Sequence, residues 1–285
     1  MRLRFLGTSA AGGFPNPHCR CEHCEAARAE GGRSIRRQSS ALINDDLLID
    51  LGPDVLAAVQ ALGIHLADVR CVLQTHPHED HLLPLHARVR IADWAAKGAV
   101  PLRWCGGQRT LDLVAASARE PVPWLAADEP LPPGPGTLAL TLLRPWQEVV
   151  LDEYRIQTVA ANHDPTADPM LFAIEWRGRR LFWGTDTSAL PADTWPRLAA
   201  LGWRFDVAVF DHDQGFAAPL SASHMGSAQM RREVARMREL GMLGPGSRVI
   251  GTHLGHHSHG PHSVESRRAR AHGYELAWDG MLVEV

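Results

Sequence analysis

The chain has 285 residues and a formal net charge of −3, with 29 Lys and Arg against 32 Asp and Glu. That balance offers no basic excess for a polyanion, so nucleic acid is not expected as a main partner. No apolar run approaches a membrane span, and Leu3 to Leu6 is too short for a signal-peptide core, so the expectation is a cytoplasmic chain that buries a sizeable core.

A first strand is predicted over about residues 2–6. The glycine-rich loop Gly7 to Gly13 follows. No Gly-Lys-Ser/Thr comes after it, so it is not a phosphate-binding Walker loop; it is expected to let backbone approach a cleft. Cys19-Arg20-Cys21-Glu22-His23-Cys24 then places three thiols within six residues. A helix over 22–30, strands over 40–43 and 47–50, a helix over 53–62 and a strand over 69–74 come next.

The run Thr75-His76-Pro77-His78-Glu79-Asp80-His81 leaves that last strand. A helix is predicted over 82–97, a strand over 101–105 and a helix over 108–118. Residues 121–136, rich in Pro, Gly and acidic groups, read as a surface loop between halves. Strands over 137–143, 154–161, 170–176 and 180–184 precede a helix over 193–201. A strand over 206–211 leads to a helix over 225–241, capped by Ser223 or Ser227 and ending before Gly241. A strand over 247–251, a helix over 264–272 and a strand over 281–285 close the chain. Of the five cysteines, Cys71 and Cys105 lie in apolar strand-like runs and are expected to be buried thiols.

The histidine-rich run is the most informative stretch. His76, His78, Asp80 and His81 are four metal-ligating side chains on a loop at a strand end, where side chains can converge. Neutral imidazole suits zinc, copper, iron and nickel, and a carboxylate admits manganese. The cysteine cluster is one ligand short of a closed tetrahedral zinc site. The alternatives are three reduced thiols, or a disulfide with one thiol spare. Nothing in the chain indicates secretion, which disfavours the disulfide.

The spelling HxHxDH after an apolar strand resembles the metallo-β-lactamase superfamily. Four further elements match in order: Asp50 after Leu47-Leu48-Ile49, His163 after Thr158 to Asn162, Asp186 after Leu181 to Thr185, and His253 after Val249 to Thr252. Within that superfamily the cysteine cluster is similar to the phosphoribosyl cyclic phosphodiesterase of the carbon–phosphorus lyase pathway. That family takes its fourth zinc ligand three residues after the last active-site histidine, here His256. Leu6 to Pro15, the cysteines and Gln38-Ser39-Ser40 also resemble coenzyme PQQ synthesis protein B, whose members commonly lack the full HxHxDH run.

The resemblance implies an α/β sandwich of two packed β-sheets with helices outside, formed by residues 1–285 as a single domain. A small zinc loop at 19–24 would be closed by His256. It implies one metal on His76, His78 and His163, a second on Asp80, His81 and His253, and Asp186 bridging both. Zinc or manganese, with iron also admitted, would occupy the pair, and zinc the site of Cys19, Cys21, Cys24 and His256. A metal-generated hydroxide would attack a small cyclic phosphate diester. His224 and Asp80 are expected to be catalytic, His224 as acid to the leaving alkoxide. The expected partner is that small substrate, with no membrane role and a homodimer allowed. The alternative function is a PQQ-synthesis-protein-B-like factor in cofactor or peptide maturation. Asp211-His212-Asp213 reads as a supporting polar cluster. His257, His259 and His262 are assigned no role, and the nine Trp are expected in core and rim.

Overall fold

The structure, a computed structural model, describes residues 1–90, 97–119, 138–217 and 221–285. Two seven-stranded mixed sheets face each other. The first runs, from edge to edge, β14 (Leu282–Glu284), β1 (Arg2–Gly7), β2 (Ser40–Ile43), β3 (Leu47–Ile49), β4 (Cys71–Leu73), β5 (Leu102–Gly106) and β6 (Leu138–Leu142). The second runs β13 (Glu275–Leu276), β12 (Leu243–Thr252), β11 (Phe205–Asp211), β10 (Arg179–Gly184), β9 (Met170–Trp176), β8 (Tyr154–Ala160) and β7 (Glu148–Leu151). In each sheet one half is antiparallel and the other parallel: β3 to β6 in the first, β10 to β13 in the second.

Period-two alternation builds three layers of core, because successive strand side chains face opposite sides. Leu47 and Ile49 of β3, Cys71 and Leu73 of β4, and Leu181 and Trp183 of β10 point between the sheets. Leu48 and Val72 point outwards beneath α2 (Val55–Leu62) and α4 (Gln108–Arg119), packing with Val55, Ala58 and Val114. Phe182 points outwards beneath α5 (Thr194–Ala200), α6 (Ser227–Glu239) and α7 (His262–Ala271), with Leu198, Met230, Met237 and Ala269. Strands covered on both faces read as continuous apolar runs, as these do. The two-sheet sandwich with outer helices is the architecture the resemblance implied.

Several boundaries differ from the sequence reading. The helix expected over 82–97 is the short α3 (Leu85–Val89), and the described chain resumes at residue 97. Pro84 sets its start, since proline suits the first turn of a helix. The loop expected at 121–136 lies outside the described residues. Neither Ser223 nor Ser227 caps α6; extended Gly226 is the cap residue, with no side-chain bond. β7 and β13 were not expected. β7 is an edge strand joined to β8 by a turn at Asp152, whose φ of 51° is left-handed, and β13 has only two residues. The helix α1 (Glu22–Glu30) matches its expected span.

Candidate metal centre

The parallel halves of both sheets deliver their strand ends to one edge of the sandwich. Asp50 follows β3, the histidine run follows β4, Asp186 follows β10 and His253 follows β12. His163 follows β8. Asp50, Asp186 and His253 have φ of 59°, 52° and 59°, so the backbone turns sharply as each strand ends. Left-handed backbone at non-glycine residues is strained and collects at functional sites. Here it swings three side chains into a common space.

Ligand atoms of His76, His78 and His163 gather within 4.8 Å of one another, as do those of Asp80, His81, Asp186 and His253. Asp186 stands between the two groups. Its Oδ2 lies 3.3 Å from His76 Nε2 and 2.9 Å from His81 Nε2, and its Oδ1 lies 3.0 Å from His253 Nε2. His81 Nε2 and Asp186 Oδ1 are buried and make no well-aligned hydrogen bond despite these distances. Buried polar atoms normally find partners. Donors that converge without pairing have the geometry a shared cation completes, and a histidine–carboxylate set of this kind fits divalent zinc, manganese or iron.

The electrostatics point the same way. Burial alone would discharge His81 and His253, yet Asp186 foremost holds both rings well above the ordinary imidazole range. Burial would raise the Asp186 carboxyl, but His253 and His81 hold it well below the usual range. The carboxylates thus demand positive charge at this position. His76, surrounded by other imidazoles, is held neutral first by burial and then by His81, and neutral imidazole is the ligating form.

Behind the ligands sits a rigid frame. Asp50 is fully buried; it takes His81 Nδ1 at 2.7 Å, the Thr75 backbone N–H at 2.7 Å and the Gln74 amide at 2.9 Å. Gln74 also donates to the carbonyls of His76 and His81 at 3.2 and 2.8 Å, drawing the loop into a closed turn. Partners behind the ligands fix ring orientation and tautomer. Asp164 reaches His78 Nε2 at 3.3 Å. Sequence reasoning found Asp50 but passed over Gln74 and Asp164. The signal for Asp164 was its place directly after His163; Gln74 had none beyond preceding the run.

His224 lies beside both ligand groups. Its ring stacks on His253 at 5.3 Å and meets His163 edge-on at 4.9 Å. Its Nδ1 is 2.7 Å from Asp211 Oδ2. Burial opposes charge on this ring, but Asp211 overcomes it and pushes its pKa up to about 9. Asp211, fully buried, also accepts the backbone N–H groups of Asp213 and Met225. A cleft of about 290 Å³ opens onto Asp80, Asp186, His224 and His253, walled by Ala10, Ala11 and Gly12 of the glycine-rich loop.

The second cluster adjoins that wall. Ligand atoms of Cys19, Cys21, Cys24 and His256 lie within 4.8 Å of one another, and none of the cysteines is in a disulfide. A Cβ on Gly12 would come within 3.2 Å of His256 Cδ2, so glycine lets the cleft wall pass close to this site. Burial pushes the Cys24 thiol up to about 11. Three thiols and an imidazole in this reach fit tetrahedral zinc. His212, His259 and His262 are instead buried: His212 bonds His259 Nε2 at 2.9 Å and Tyr274 at 2.8 Å, and His262 meets Arg36 at 2.8 Å.

Residues 46–254 match the family model described as the Beta-lactamase superfamily domain. A coenzyme PQQ synthesis protein B of Methylorubrum extorquens is 28% identical over 311 residues, covering all of both chains. The crystal structure of zinc-bound PqqB from Methylobacterium extorquens superposes with a TM-score of 0.72 at 21% identity, covering 100% of each chain. A diphosphatase of the PhnP family superposes with a TM-score of 0.70 at 19% identity, covering 100% of this chain and 97% of that one.

Proposed function

The chain belongs to the beta-lactamase superfamily, here a metal-dependent hydrolase, and from that premise we propose that it cleaves small phosphate diesters at a pair of divalent ions. His76, His78 and His163 would hold one ion, Asp80, His81 and His253 the other, and Asp186 both. When bound, such a pair polarises the phosphate and supplies an activated water at neutral pH. Asp50 and Asp164 orient His81 and His78. His224 donates the proton to the departing alkoxide: Asp211 occupies Nδ1, which leaves the Nε2 proton for the substrate. Asp80, Asp186 and Asp213 line the cleft and disfavour the second negative charge of a monoester, so diesters are preferred.

The single observation that carries this reading is the complete donor set closed around Asp186 beside a charged His224–Asp211 pair. The PhnP-family diphosphatase, which shares the fold, supports phosphate chemistry. The test is hydrolysis of cyclic and aryl diesters by protein loaded with zinc, manganese or iron, alongside the matching monoesters. A diester preference supports the reading. The full-length likeness to PQQ synthesis protein B favours a second one, a factor in cofactor or peptide maturation. Absence of diester hydrolysis with all three metals moves the conclusion there.

A further inference from the structure

The catalytic cleft continues into a larger lobe. A space of about 660 Å³ shares Ala11, His78 and Asp80 with the 290 Å³ cleft and extends past them to Pro77, Glu79, Leu82, Pro84, Arg109 and Leu113. Its walls mix apolar side chains with polar ones, among them one cation, Arg109, and two carboxylates, Glu79 and Asp80. A ligand whose phosphate sits at Asp186 would extend its body over His78 and Asp80 into this space.

Arg109 is tied to the reacting centre through a short chain of bonds. His78 Nε2 lies 3.3 Å from Asp164 Oδ2. Asp164 Oδ1 accepts the Thr166 N–H and hydroxyl at 2.8 Å each. The Thr166 carbonyl accepts Arg109 Nη1 at 3.2 Å, and Asp168 Oδ2 accepts the Arg109 backbone N–H at 3.4 Å, at the start of α4. Among the described residues, one of the five guanidinium N–H donors is engaged in this way. No carboxylate within 4 Å forms an ion pair with Arg109 among the described residues, although Glu79 lines the same lobe.

We propose that this lobe is a specificity subsite for the ester group that extends beyond the phosphate, a body with apolar surface that bears a carboxylate, with Arg109 as the residue that binds the carboxylate. The planar guanidinium matches a carboxylate with two parallel hydrogen bonds. Glu79 stands against a dianionic group such as a phosphate monoester, because like charges in one lobe repel. The His78–Asp164–Thr166 chain fixes the distance from Arg109 to the scissile phosphate, so the subsite reads the length of the body as well as its charge.

The kinetic arm rests on the diesterase reading. Two methyl aryl phosphate diesters, one with a para-carboxylate and one with a para-methyl group, are compared in wild type and Arg109→Ala. The carboxylate-to-methyl ratio of kcat/KM should fall by about 10-fold or more, the size of a lost charge-assisted bond, and Arg109→Lys should restore part of it. A ratio that does not change overturns the subsite. Calorimetric binding of 4-hydroxyphenylacetate to metal-loaded protein forms a second arm that needs no turnover. Binding by wild type and loss in Arg109→Ala sustain the subsite even where no diester is cleaved, which would count against the diesterase reading alone. Equal binding by the two proteins overturns it. A phosphate-bearing analogue that binds as tightly as the carboxylate, and no tighter in Glu79→Gln, overturns the assignment to carboxylates.

Discussion

The two metal-ligating clusters lie side by side but are held in different ways. The histidine–aspartate cluster grows from strand ends locked in the sandwich, and buried hydrogen bonds from Asp50, Gln74 and Asp211 fix its side chains. The cysteine cluster joins Cys19 and Cys21, on the loop leading into α1, to Cys24 in its first turn and to His256 beyond β12. Its direct bonds include a 3.7 Å approach of Cys24 Sγ to His256 Nδ1 and a 3.4 Å bond from the Cys21 N–H to Cys19 Sγ, and its thiols pack with Phe14 and Ala27. Arg28 helps by donating to the carbonyls of Cys19 and Asn16. The first cluster is preorganised, and the second, on its looser frame, is expected to depend on an ion for its shape. Removing metal should therefore silence the first with little loss of structure and loosen the second.

The largest expected effect is at Asp186. Its carboxylate reaches histidines of both ligand groups, so Asp186→Asn should release one or both ions and abolish nearly all hydrolysis. Elemental analysis with a diester assay checks this. A single bound ion beyond the cysteine site, together with full activity in the variant, would refute the paired centre. Thermal stability should fall little, because Asp50 and Gln74 still hold the loop.

His224→Ala should act next, by leaving group. Esters of poorly leaving alkoxides should slow by roughly 10²–10⁴-fold, the usual contribution of a general acid. Activated aryl esters should slow less, since they depart without a proton. Equal losses on both would remove His224 from the acid role and make it a packing residue against His253.

Much of this contrast was legible in the sequence. The ligands were readable because metal chemistry confines them to few residue types, and because apolar strands end just before polar ligands begin, as between Leu73 and His76 and between Gly184 and Asp186. The frame behind them was less so. Gln74 is one glutamine among ordinary ones until folding brings it against the carbonyls of His76 and His81. Asp211 was placed only as support, because its partner His224 lies thirteen positions further along the chain. Arg109 carried no signal, since its meaning depends on a turn at Thr166 that reaches it through space. The serine caps expected for α6 failed because Gly226 already supplies the extended backbone a helix start requires.

Cys21→Ser tests the dependent site. It should lower Tm by roughly 5–10 °C, a few kcal/mol at this chain length, and should alter Tm more than it alters diester turnover. A chelator should shift wild type towards the variant and leave the variant's Tm nearly unmoved. An unchanged Tm would mean that the cysteine cluster holds no structural ion.

The smallest effect concerns a second tie between the ends of the chain, one that needs no ion. Asp279 accepts the Arg37 N–H at 2.7 Å and the Thr8 hydroxyl at 2.8 Å, and buried Arg36 bonds Thr8 and the Ala277 carbonyl. Burial pushes the Asp279 carboxyl up from 3.8 to about 6, against its hydrogen bonds and the two arginines. The sign follows from proton counting. Between pH 4 and 6 the folded state holds a proton on Asp279 that the unfolded state has lost, so stability contributed here falls as pH rises through that window. A rise of that size corresponds to on the order of 3 kcal/mol, an upper figure given the charges nearby. Subtracting the denaturation profile of Asp279→Asn from that of wild type should isolate this slope, with wild type relatively more stable at pH 4 than at pH 7. The difference should persist in Cys21→Ser, because this tie does not pass through the cysteines. A flat difference curve would mean that Asp279 titrates normally and that its arginines, more than its burial, set its charge.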